Sequence, residues 1–66
     1  MTFEIGERVL RRGLSGELVE GCVVDARHTA AGSKLIVVLV DREDGRTAAP
    51  REVAALARAW SRVAEA

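Results

Sequence analysis

The chain has one cysteine, one proline, one histidine, one tryptophan, one phenylalanine and no tyrosine. Each scarcity excludes something. A lone Cys22 cannot close an internal disulfide, and with His28 as the only histidine no four-ligand Cys/His zinc set exists. Phe3 and Trp60 are too few to form a base-stacking platform. Lys+Arg and Asp+Glu both number 10, so the formal net charge is zero. A non-specific nucleic-acid binder needs a basic surplus to displace counterions, so nucleic acid is possible as a partner but not favoured. The longest apolar run covers residues 35–40, too short to span a membrane as a helix. The opening Met1-Thr2-Phe3-Glu4 has no basic region followed by an apolar one. No signal peptide is expected, and the cytoplasm is the expected compartment. Ser15 and Ser33 sit in no nucleophile motif, and Glu43 and Asp44 lack a third ligand. No catalytic residue, metal or cofactor is expected.

What is present starts with that apolar run. Leu35-Ile36-Val37-Val38-Leu39-Val40 lies between Lys34 and Asp41 and is rich in β-branched residues, which suits a strand. Side chains alternate across a strand, so Leu35, Val37 and Leu39 share one face and Ile36, Val38 and Val40 the other. Both faces are apolar, and both need cover. Around this strand the sequence predicts others at residues 7–12, 17–27 and 46–49. Gly13 and Gly16 mark a loop, and Asp44-Gly45 marks a tight hairpin. Gly21, inside the second strand, predicts a bulge or sharp bend. From Pro50 the pattern changes. Proline suits a first helical turn, and Val53, Leu56, Trp60 and Val63 follow at spacings of 3, 4 and 3. The expected fold is mainly β: an SH3-like antiparallel barrel of four to five strands over residues 1–49. A C-terminal amphipathic helix over residues 50–66 completes the single domain. Its natural seat is the face of Ile36, Val38 and Val40, or the same helix of a second copy.

The opening Phe3-Glu4-Ile5-Gly6-Glu7-Arg8-Val9 resembles the F-x-x-G-[DE]-x-V start of many bacterial SH3-like and Tudor-like barrels. Gly16, the run 35–40 and the Gly45 turn follow in the same order. One group with this likeness is the Tudor-like RNA-polymerase-interacting domains of CarD-type regulators, the transcription-repair coupling factor and the tail of UvrD-type helicases. There the resemblance implies a grip on the polymerase β subunit through an exposed strand edge. Leu14-Ser15-Gly16-Glu17 stands where those domains have H-G-x-G. A second group is the type II dihydrofolate reductases. Gly6-Glu7-Arg8-Val9-Leu10-Arg11-Arg12 is similar to their G-D-R-V-R-K-K, and Val53-Ala54-Ala55-Leu56 matches their V-A-A-L. Ala48-Ala49-Pro50-Arg51 stands where they carry the V-Q-I-Y strand that holds nicotinamide and folate. This likeness implies the barrel and not the reaction.

A domain of 66 residues buries only about 60% of its unfolded surface. With no disulfide or metal, oligomerisation or docking on a partner is the remedy left open. The expectation is therefore a non-enzymatic interaction module, binding a protein partner or itself. The expected interface is Val53, Leu56, Trp60 and Val63 with Ile36, Val38 and Val40. Arg8, Arg11 and Arg12, joined by Arg46 and Arg51, form a candidate patch for an anionic partner. Nine of the ten basic residues are arginine, as in a GC-rich bacterial or phage genome. The alternative function is a nucleic-acid- or RNA-polymerase-associated factor, and the least favoured is an oligomeric enzyme like the type II dihydrofolate reductases.

Overall fold

The computed structural model describes residues 3–63. Its strands are β1 (Arg8–Arg12), β2 (Leu18–His28), β3 (Lys34–Glu43), β4 (Arg46–Leu56) and β5 (Ser61–Arg62), with a 3-10 turn at Ala57–Ala59 before the last. They form one sheet in the order β4-β3-β2-β1-β5, and every pairing is antiparallel. The outermost strands, β4 and β5, do not pair with each other, so the sheet stays open. The architecture is compatible with a small barrel-like fold. Among the described residues no helix is long and apolar enough to cross a membrane.

β3 lies between β2 and β4, which pair both of its hydrogen-bonding edges. Val38 stands opposite Val23 on one side and Val53 on the other. Ile36, Val38 and Val40 are fully buried and form the core with Phe3, Val9, Val19, Val23 and Trp60. Val53, Ala55 and Ala57 pack against this cluster. The sheet thus covers the inner face of β3 by curling over it and bringing Trp60 in from the segment after β4. The outer face is covered less: Val37 is buried, but Leu39 is 38% exposed.

The expected terminal helix is absent from the described residues. Residues 51–56 instead continue β4, pairing Val53 with Val38, Ala54 with Val37, Ala55 with Ile36 and Leu56 with Leu35. The physical reason lies in β3. Its second edge carries backbone N–H and C=O groups that a buried strand must pair, and the downstream chain supplies the partner. A lone helix of this length is marginal in water, and alanine propensity is a weak prior that tertiary pairing overrides. The expected stripe is split by the strand: Val53 packs on the core, while Leu56, opposite Leu35, lies on the other face. Val53 and Ala55 share the core face at a spacing of two, and the 3-10 turn then delivers Trp60 to the same core. The division expected between residues 49 and 50 falls inside β4. Residues 64–66 of the expected helix lie outside the described ones.

Pro50 sits in β4 where the β3–β4 register shifts: Val40 faces Arg51, yet Arg42 faces Thr47. Residues 48–50 therefore bulge past Asp41, on an edge strand, which is where a residue without an N–H is tolerated. The Asp44-Gly45 hairpin forms as the sequence predicts. Both residues have positive φ, 51° and 80°, and Glu43 pairs directly with Arg46. Asp44 also holds β2. Its N–H donates to the Leu18 carbonyl at 2.7 Å, and its Oδ1 accepts from the Leu18 N–H at 2.9 Å.

Candidate interaction surfaces

Alternation along β1 decides where its arginines go. Arg8 pairs with Cys22 and lies on the outer face, while Val9 points into the core. The Arg8 guanidinium donates to both oxygens of Asp41, at 3.0 and 2.9 Å, and twice to Glu20 Oε2, at 3.1 and 2.8 Å. It also donates to the Cys22 sulfur at 3.3 Å. This fork ties β1, β2 and β3 together across the sheet. The hydrogen bonds to Asp41, then Glu20, then Cys22 raise the Arg8 pKa. The same bond from Arg8 lowers the Asp41 carboxyl.

Arg11 is directed to the other face, 5.6 Å from the centre of the Trp60 ring. Arg12 donates to the Gly16 carbonyl at 2.7 Å, across the β1–β2 loop. Arg51 pairs with Glu43 at 3.1 Å. The expected anionic-partner patch is thus divided. Arg8 and Arg51 are engaged by carboxylates, Arg11 lies over the indole, and Arg12 closes a loop. Arg46 has no such interaction among the described residues.

The expected apolar interface is divided as well. Ile36, Val38 and Val40 are fully buried, and Trp60 is only 1% exposed. These four side chains seal the protomer's own core and are not offered to a partner. Val53 is half-buried against that core, and Val63 is half-buried just after β5, its N–H donating to the Arg8 carbonyl at 3.2 Å. Leu56 is half-buried opposite Leu35, on the outer face. The exposed apolar surface lies elsewhere. Leu39 and Val24 are each 38% exposed, and Ile5 and Leu14 project from loops.

Two surfaces remain. The first is the free edge of β4, which has a strand neighbour on one side only. Beyond the bulge, residues 51–56 hold an unbroken register with β3. The second is a cleft of about 600 Å³ at the end of the sheet, lined by Ser33, Lys34, Leu56, Ala57, Arg58, Trp60 and Ser61. Sequence reasoning misses Lys34 and Arg58 because they are 24 positions apart and meet only once β3 and β4 are paired. Among the described residues no group of three His, Cys, Asp or Glu side chains could hold a metal ion.

No family model matches the chain, and no curated protein or solved structure is significantly similar to it.

Proposed function

We propose that the chain is a non-enzymatic protein-interaction module of the SH3/Tudor-like kind, in the first instance one that associates with a second copy of itself. The observation that carries this reading is the β4 edge. Six residues, 51–56, present one side of a regular strand with no strand neighbour among the described residues. Such an edge is a template for an added strand, with main-chain hydrogen bonds supplying affinity and flanking side chains specificity. Leu39 and the half-buried Leu35 and Leu56 flank it on the outer face. A chain this short also gains most from burying further surface.

The edge is open to strands from other proteins by the same chemistry, including a transcription-machinery partner as the polymerase-binding resemblance implies. A nucleic-acid role has less to rest on. Arg8 and Arg51 are already paired, and both aromatic rings are buried rather than presented for stacking.

The test is sedimentation over a concentration series with amide hydrogen exchange read at residues 51–56. Association that slows exchange at those amides supports the reading. A chain that stays monomeric into the millimolar range removes self-association, and a dimer that leaves those amides unprotected removes the β4 edge.

A further inference from the structure

The cations of this chain are not equally engaged. Arg8, Arg27, Arg51 and Arg62 meet carboxylates, Arg12 and Arg42 donate to loop carbonyls, and Arg11 lies over Trp60. Among the described residues, the side chains of three basic residues have no hydrogen bond, ion pair or ring contact: Lys34, Arg46 and Arg58. Two of these three, Lys34 and Arg58, line the same cleft.

That cleft has a defined chemistry. Leu56, Ala57 and Trp60 give it an apolar wall, and Ser33 and Ser61 add hydroxyls. None of its lining residues is acidic, although the chain holds as many acids as bases. The concavities around Glu4 and Glu7, and around Arg8 and Asp41, each carry carboxylates of their own. Trp60 also lines this cleft. Its indole Nε1 is buried with no acceptor among the described residues, in a side chain only 1% exposed. A buried donor left without an acceptor is costly.

We propose that this cleft binds a short acidic peptide segment carrying an apolar side chain. Its carboxylates pair with Lys34 and Arg58, and its apolar side chain lies against Leu56 and Ala57, above the buried Trp60. Carboxylate is favoured over a nucleic-acid phosphate because the chain has no basic surplus and the one ring at the site is sunk in the core rather than open for stacking. The cleft adjoins the end of the β4 edge at Leu56, but its charges come from Lys34 and Arg58, and neither charge lies in residues 51–56.

Trp60 is the only tryptophan in a chain without tyrosine, so its fluorescence reports on this site directly. The probe is a blocked peptide of sequence Glu-Leu-Glu-Glu-Leu. The controls are its glutamine analogue, a single-stranded oligonucleotide and inorganic phosphate. The acidic peptide should change Trp60 emission saturably and shift the amide resonances of Lys34, Arg58 and Ser61, while the glutamine analogue should not. Lys34→Glu combined with Arg58→Glu should weaken binding about tenfold or more, the sum of two lost pairs and two new repulsions. Arg46→Glu, which reverses the third unengaged cation away from the cleft, should leave binding unchanged. If the double variant loses its native circular dichroism, Arg58→Glu alone, at an exposed position, carries the comparison. The proposal is overturned if the acidic peptide gives no saturable response into the millimolar range, or if the charge-reversed variant binds as well. Binding of phosphate or the oligonucleotide at these residues in preference to the peptide overturns it too.

Discussion

Gly21 and Leu39 approach so closely that no side chain fits between them. A Cβ on Gly21 would stand 2.7 Å from the Leu39 carbonyl carbon and 2.7 Å from Val40 Cα, with the Leu39 carbonyl oxygen nearer still. All of these atoms are backbone, so nothing can swing aside. The β2–β3 register shifts at this point, between Glu20 and Gly21. Gly21→Ala must force the two strands apart and is expected to cost about 3 kcal/mol, the upper range for overpacking. Urea unfolding followed by Trp60 emission checks it. A loss below about 0.5 kcal/mol, the size of an ordinary surface change, would show that the strands do not pass this closely.

The two faces of β3 should respond differently to truncation. Ile36 is fully buried, and Ile36→Ala is expected to cost about 2–5 kcal/mol. Leu39 is 38% exposed on the opposite face, and Leu39→Ala should cost clearly less. Denaturant midpoints of the two variants decide between this arrangement and its reverse. The reverse order would place Leu39 in the core and Ile36 outside it.

The Arg8–Asp41 pair predicts a share of the acid sensitivity. Arg8 lowers the Asp41 pKa in the folded chain below its ordinary 3.8. A depressed carboxyl stabilises the fold above its unfolded pKa, and that contribution is lost as pH falls through the folded value. Asp41→Asn should therefore be less stable than wild type at neutral pH, and the difference should shrink as pH falls below about 4. Both partners are more than a third exposed, so added salt should reduce the gap. Thermal midpoints across a pH series, at low and high salt, read this out. An unchanged gap at low pH would mean that the pair contributes nothing to the folded state.

Asp44 has two separable duties in the β3–β4 hairpin: it adopts positive φ, and its carboxylate accepts from the Leu18 N–H. An asparagine at this position would keep both, since it tolerates that conformation and its amide oxygen still accepts. Asp44→Ala loses both and should cost about 1–2 kcal/mol, while Asp44→Asn should stay near wild type. Chemical unfolding of the two variants side by side distinguishes them. Equal losses would show that charge, not geometry, is what matters at the turn.

Local rules make part of this fold legible. The run 35–40 announces β3, Asp44-Gly45 announces its hairpin, and Gly21 announces a bulge. Each signal is carried by residues adjacent in sequence. The segment after Pro50 misleads because its apolar spacing fits a helix and its alanines favour one. The competing term, the unpaired edge of β3, lies more than ten positions upstream and enters only through the sheet. The run 35–40 divides correctly into two apolar sets, but which one turns inward depends on how the sheet curls. Lys34 and Arg58 carry no local signal, because cations distant in sequence come to line one cleft only after β3 and β4 are joined. Arg8, Arg11 and Arg12 look like a single basic cluster along the chain. In the folded sheet each meets a different neighbour.

Pro50 and the bulge around it have one more effect. They split the outer border of β4 into a short stub at residues 46–47 and a longer rail at residues 51–56. An incoming strand can run along the rail, but a missing N–H and an offset backbone stop it at the proline. Any strand added at this border would therefore be confined to residues 51–56, and a short, interrupted edge is a poor template for the extended edge-to-edge pairing that leads to aggregation.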